Sequence, residues 1–247
     1  MSEELTTRRV LVTGGSRGIG ASIVRLLAER GARVAFTYRT DLEAASRLVG
    51  ACAELPGDVF PMPFDLVEGD PGRLVESACA AIGGVDSLIL NAGMWRGGRL
   101  AKLDDSAWWG VLEANLRGNV RLVRTALPVL EASSAASILL MSSAVGLTGF
   151  PGDTAYASSK SALTGFARSL AKETGRIGTR VNVLAPGFVE TDMTAEIGES
   201  ARNKIIERSV LGRFGTPEEI AKAAVFLSED ATFATGVVLP IDGGWTL

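Results

Sequence analysis

Apolar residues along the chain alternate between two patterns. Short dense runs rich in Val, Ile, Leu and Phe are separated by longer stretches in which apolar positions recur every three or four residues. The first pattern reads as a buried strand and the second as an amphipathic helix. Strands are predicted at 9–13, 32–38, 59–64, Ser87–Leu90, Ser137–Met141, 180–184 and 237–241. Helices are predicted at 18–30, 42–53, 73–82, 105–130, Thr154–Thr174 and 218–228, with Gly31 stopping the first. Strand–helix alternation of this kind predicts one α/β domain over 1–247: a doubly wound, mostly parallel, seven-stranded sheet with helices on both faces. The longest irregular stretch, 185–198, follows the sixth strand. Ligands of open α/β sheets bind beyond the carboxyl ends of strands, so 185–215 is a candidate substrate lid.

Composition removes several function classes. Lys and Arg number 25 against 28 Asp and Glu, a balance unlike that of a nucleic-acid binder. The chain has no histidine. That excludes Ser–His–Asp and Cys–His catalysis and most catalytic zinc sites, and no metal is expected. Cys52 and Cys79 fit no metal or redox spacing and read as small core residues in a reducing compartment. The acidic start, Met-Ser-Glu-Glu, is unlike a signal peptide, and no apolar run approaches the roughly 20 residues of a spanning helix. A cytoplasmic protein is expected.

Between the first strand and first helix lies Thr13-Gly14-Gly15-Ser16-Arg17-Gly18-Ile19-Gly20. Glycines at such a turn let backbone approach a pyrophosphate, and the helix N-terminus adds free N–H groups and a favourable dipole. The same run contains G-x-S-x-G, a hydrolase elbow, but a serine there needs a base that a chain without histidine lacks. The second strand ends Thr37-Tyr38-Arg39. An acidic residue there would select NAD. Arg39, with Arg17, suits a 2′-phosphate instead and favours NADP(H), although Asp41 follows closely. Asp65, after the third strand, is either an acceptor for the adenine amino group or a turn aspartate.

Tyr156 and Lys160 share a face of the predicted helix, and Ser143 follows the fifth strand. Ketone reduction needs hydride at carbon and a proton at oxygen. A free phenol, with a pKa near 10, exchanges protons poorly at neutrality. An adjacent Lys160 ammonium is expected to lower it, and Ser143 to hold the carbonyl oxygen.

These pieces, with Asn91-Ala92-Gly93, Asn115 and Pro186-Gly187, occur in the order and spacing of the short-chain dehydrogenase/reductase family, which the chain resembles along its whole length. The resemblance implies a Rossmann fold and a set of roles. Tyr156 is the acid/base, and Lys160 binds the nicotinamide ribose. Ser143 orients the substrate, and Asn115 holds a water that relays protons from Lys160. It implies an NADP(H) site of Gly14, Ser16, Arg17, Gly18, Ile19, Gly20, Tyr38, Arg39, Asp65, Leu66, Asn91, Ala92, Gly93, Pro186, Gly187, Val189 and Thr191, together with Tyr156 and Lys160. Within the family the chain is most similar to 3-oxoacyl-(acyl-carrier-protein) reductases, through 186–194, 211–219 and Asp242-Gly243-Gly244. That implies a 3-oxoacyl thioester or related β-keto substrate in fatty acid or polyketide synthesis. Those reductases often carry basic residues before the fifth strand to meet an acidic carrier protein. Here that stretch, 131–137, has no positive charge, and Lys172, Arg176 and Arg180 are the nearby cations. Met94, Trp95, Val145, Phe150, Phe188 and Met193 are the substrate-pocket candidates. The resemblance also implies a homotetramer, with the 105–130 and Tyr156 helices at one interface; Trp108 and Trp109 read as core or subunit contacts. The alternatives are an alcohol or sugar dehydrogenase, a secondary-metabolite ketoreductase, or a silent dinucleotide-binding scaffold.

Overall fold

The computed structural model describes residues 7–247. Seven strands form one parallel sheet in the order β3-β2-β1-β4-β5-β6-β7. They are β1 (Arg9–Val12), β2 (Arg33–Tyr38), β3 (Val59–Pro63), β4 (Ser87–Leu90), β5 (Ser137–Met141), β6 (Arg180–Pro186) and β7 (Val238–Ile241). Strand order reverses between β1 and β4, which opens a crevice at their carboxyl ends.

Alternation along the strands feeds two cores. Leu11, Leu88, Leu90, Ile138 and Val181 face one side, packing on α3 (Pro71–Ile82), α5 (Asn119–Glu131) and α7 (Thr154–Thr174). Val10, Val12, Phe36, Ile89 and Leu139 face the other, packing on α1 (Gly18–Glu29) and α10 (Pro217–Val225). The outer helix there is α2 (Leu42–Cys52), which the Asp41 side chain caps by accepting from Ala44 N. Cys52 is buried and unpaired, as is the half-buried thiol of Cys79.

The helix starts follow local chemistry. α3 begins two residues before its expected start, because Asp70 caps Gly72 and Arg73 N–H groups and Pro71 occupies the first turn. α10 begins with a Thr216–Glu219 capping box.

Two expectations are corrected. The single helix over 105–130 is α4 (Asp105–Leu112), a π-helical turn at Glu113–Gly118, and α5. The 185–198 stretch is only partly irregular. β6 runs on to Pro186, which pairs with Ile241, and α8 (Asp192–Ala195) and α9 (Glu199–Arg208) follow. A further short helix, α6 (Ala144–Thr148), leaves β5.

Charge closes the amino edge of the sheet. Arg9 forks onto Asp86 through Nε at 2.9 Å and a terminal nitrogen at 2.5 Å. Arg8 meets Glu229 and donates to Ser87 Oγ, which in turn donates to Glu229 at 2.8 Å. The carboxyl edge is left for chemistry.

Candidate active site

The glycine loop is stitched to two strands. Gly14 N donates to Thr37 Oγ1 at 3.0 Å, and Gly15 N to Thr37 O at 2.8 Å. Asn91 Nδ2 donates to the Gly14 carbonyl at 3.0 Å, and Ala92 N to Thr13 Oγ1 at 3.0 Å. Gly14 and Gly18 hold φ of 63° and 53°, a left-handed backbone that glycine adopts freely. A Cβ on Gly15 would meet Phe36 Cβ at 2.6 Å, and one on Gly20 would collide with the Gly14 carbonyl oxygen. Close strand–loop–helix approach therefore requires both. Arg17 opens α1 without a side-chain cap, so the helix presents its first N–H groups toward the crevice edge. These features fit a dinucleotide pyrophosphate.

Of the two arginines expected at the 2′-phosphate, Arg17 lines the cleft beside the glycine loop and Arg39 does not. A cleft beside the loop is lined by Ser16, Arg17, Asp41, Ala44, Arg47, Leu48, Ala51 and Asp192. Arg47, not Arg39, faces Arg17 across it, reached from α2 and paired with Glu43 at 2.9 Å. Arg39 is exposed beyond β2, and Tyr38 packs on the α1 side of the sheet. Asp65 Oδ1 accepts from Val67 N at 2.7 Å and Glu68 N at 3.1 Å, so that oxygen builds a turn. The Leu66 carbonyl lies against Gly118. On the far side, Gly187 N donates to Ile241 O at 3.0 Å. Val189 is buried and its carbonyl accepts from Thr194 Oγ1 at 2.6 Å. Thr191 starts α8 and would touch a Cβ on Gly18 at 3.3 Å; Asp192 lies 3.6 Å from Arg17. The start of α8 thus rests on the glycine loop.

Ser143, Tyr156 and Lys160 come together. Ser142 Oγ donates to the Lys160 carbonyl at 2.8 Å, which ties the end of β5 to α7. Gly146 permits α6 to lie on α7, since a Cβ there would meet Lys160 Cβ at 2.8 Å. Ser143, the N-cap of α6, accepts from Val145 N at 3.2 Å and lies near enough to the Tyr156 phenol to lower its pKa. Burial pushes that phenol up to about 12, Ser143 pulls it back, and the Asp153 carboxylate raises it. Lys160 is buried and brought down to about 8 by desolvation. Its Nζ donates to the Met141 carbonyl at 2.8 Å and stands 5.7 Å from the Tyr156 ring centre. Lys160 has no part in this shift: its ammonium is turned toward β5, and burial dominates the phenol.

Asn115, in the π turn, is fully buried and uses both side-chain atoms on the protein. Oδ1 accepts from Met94 N at 2.7 Å; Nδ2 donates to Met94 O at 2.8 Å and Ser159 Oγ at 3.1 Å. Its carbonyl accepts from Asn119 Nδ2 at 2.7 Å, so a relay water would have to share that carbonyl. A Cβ on Gly93 would stand 3.1 Å from Asn115 Oδ1 and 3.2 Å from Lys160 Nζ, so both residues converge on Gly93.

The pocket candidates divide. Val145, Phe150 and Phe188 join Tyr156 in one apolar cluster with Phe214 and Trp245. Trp95 is half exposed at the rim, its Nε1 donating to Asp153 at 2.9 Å, and Met94 is engaged through its backbone. Met193 stands exposed on α8, outside the cluster. Trp108 Nε1 donates to Thr154 Oγ1 at 3.1 Å, while Trp109 is exposed. Sequence reasoning missed Arg47, Asn119 and Trp245. No motif marks the first two; Trp245 directly follows the Asp242-Gly243-Gly244 run, which was the available signal.

Among the described residues no helix is long and apolar enough to cross a membrane, and no His, Cys, Asp or Glu cluster suits a metal. The family model described as Enoyl-(Acyl carrier protein) reductase matches residues 14–246. A 3-oxoacyl-(acyl-carrier-protein) reductase of Chlamydia trachomatis is 39% identical, with 99% of each chain covered. One from Bos taurus is 40% identical over 96% of this chain and 97% of its own. A metagenomic blue fluorescent protein solved with NADPH is 33% identical, with a TM-score of 0.91 over 99% of this chain and all of its own. A Burkholderia cenocepacia short-chain dehydrogenase solved with NADP is 32% identical, with the same TM-score and coverage. By full-length sequence match, sheet order and glycine loop alike, the chain belongs to the short-chain dehydrogenase/reductase family.

Proposed function

We propose that this protein reduces a ketone to a secondary alcohol with NADPH, and that the ketone is a 3-oxoacyl thioester or related β-keto compound. The observation that carries the reading is the meeting of Ser143, Tyr156 and Lys160 beside an uncapped helix N-terminus and its glycine loop. Relatives named 3-oxoacyl-(acyl-carrier-protein) reductases, and solved relatives holding NADPH and NADP, support the substrate class and cofactor.

When bound, the nicotinamide supplies the hydride. The chain supplies the rest. Tyr156 delivers its phenolic proton to the ketone oxygen as the general acid. Burial holds that phenol protonated at neutral pH, so the donor is loaded before transfer. Ser143 donates to the same oxygen and stabilises charge developing there. Lys160, positive below about 8, can turn its ammonium from Met141 to the ribose hydroxyls. From there it eases proton loss from Tyr156, with Asn115 holding the neighbouring backbone. Gly14, Ser16, Gly18, Ile19 and Gly20 seat the pyrophosphate. Arg17 and Arg47 flank the 2′-phosphate, where a planar guanidinium donates two bonds. Pro186, Gly187, Val189 and Thr191 border the nicotinamide end.

Val145, Phe150 and Phe188 provide an apolar wall for the acyl part. Residues 185–215, carrying α8 and α9, act as the lid. The exposed small face of α7 at Ser158, Ser161 and Gly165, with Trp109 on α4, suits subunit packing in a tetramer. The test is a panel following NADPH oxidation with acetoacetyl thioesters carried on coenzyme A and on an acyl carrier protein, and NADP reduction with secondary alcohols. Faster turnover of the thioesters supports the reading; turnover confined to alcohols overturns it.

A further inference from the structure

Trp245 is 1% exposed, yet its indole N–H meets no acceptor among the described residues. Folded proteins rarely leave a buried donor unmade, because the loss of water is then uncompensated. The chain nonetheless fixes this side chain with care. Asp242 Oδ1 accepts from Gly244 N at 2.9 Å, while Oδ2 accepts from Thr246 N at 3.0 Å and Thr246 Oγ1 at 2.6 Å. Gly243 and Gly244 take φ of 63° and 78°, so the tail turns sharply around the Asp242 carboxylate and directs Trp245 inward. The ring packs against Phe188 at 5.4 Å and Phe150 at 6.1 Å, and the Arg208 guanidinium covers it at 4.3 Å. The tail starts at the nicotinamide end of the site: a Cβ on Gly187 would meet Asp242 Cα at 2.7 Å. Tyr156, Val145, Phe150 and Phe188 belong to the same cluster.

A β-keto thioester has two oxygens. Ser143 and Tyr156 serve the ketone oxygen. Val145, Phe150 and Phe188 offer the second oxygen no side-chain donor. We propose that the Trp245 indole N–H donates to the thioester carbonyl oxygen and so makes Trp245 a specificity-determining residue. This rests on the β-keto reading of the site. A simple monoketone leaves the donor unpaired, and sites built around such a hydrogen bond reject analogues that lack the group.

Trp245→Phe keeps an aromatic ring and removes the donor. Titration calorimetry on the NADP-loaded protein needs no turnover. The acetoacetyl thioester of N-acetylcysteamine is expected to bind the variant about tenfold more weakly, while 2-pentanone is unchanged within about twofold. Equal affinities in variant and native protein, or equal weakening for both probes, overturn the proposal. So does a native protein that does not bind the thioester. If the variant does not fold, indole N–H resonances of the native protein decide. The thioester and not 2-pentanone must shift the solvent-protected indole, and no shift overturns the proposal. NADPH oxidation by the native protein is read separately. Donor-dependent thioester binding without turnover leaves this inference standing and removes the reductase reading. Turnover without donor dependence does the reverse.

Discussion

Replacing Lys160 with methionine is expected to stabilise the fold while abolishing activity. Lys160 is 4% exposed, and burial brings its pKa from 10.5 to about 8. At about 1.4 kcal/mol per pH unit, holding the charge there costs the native state about 3 kcal/mol near neutrality. Methionine fills nearly the same volume without a charge. The substitution forfeits the bond from Nζ to Met141 O, a charged hydrogen bond worth about 1.5–3 kcal/mol. The net gain is about 1 kcal/mol, or about 2–4 °C in Tm for a chain of this size. Its pH dependence is the sharper signature. Between about 8 and 10.5 the unfolded chain holds the lysine proton that the native state has released. Wild-type stability therefore rises with pH across that window, and the advantage of the variant is full below about 8 and is gone by about pH 9. Urea denaturation of both proteins at pH 7 and pH 9.5 measures it. A variant less stable than wild type at pH 7, or a difference that has not shifted toward wild type by pH 9.5, contradicts this expectation.

Two further outcomes are expected. Arg47→Ala should raise the KM for NADPH about tenfold and leave NADH unaffected, because one of two guanidinium groups facing the cleft proposed for the 2′-phosphate is lost; parallel initial rates with the two cofactors check it. Gly20→Ala should prevent NADPH binding and lower Tm by several degrees, since a Cβ would run into the Gly14 carbonyl and the Asn91 amide; calorimetry and thermal melts report both.

Much of this molecule was legible in its residues. The strands were visible because buried parallel strands are continuous apolar runs, as in Ser137–Met141, where every residue is buried. The cluster of Ser143, Tyr156 and Lys160 was legible because residue type, spacing and the absence of histidine together narrow the chemistry. What could not be read has physical causes. α6 has five residues and α9 buries only Ile205, so neither carries a periodic apolar face. The π turn at Asn115 keeps the apolar repeat nearly intact and is invisible to periodicity. Arg47 reaches the cleft from a helix whose distance to the glycine loop is set by tertiary packing. The orientation of Lys160 toward Met141, and the burial that outweighs it at Tyr156, are likewise properties of the packed site.

The central claim is that the Tyr156 phenol supplies the proton that completes carbonyl reduction. Single-turnover oxidation of NADPH by Tyr156→Phe, with acetoacetyl thioester and with NADPH affinity measured alongside, tests it most directly. The rate is expected to fall by about two to four powers of ten while the dissociation constant for NADPH stays within about twofold. A variant that turns over at the wild-type rate with NADPH bound would contradict it.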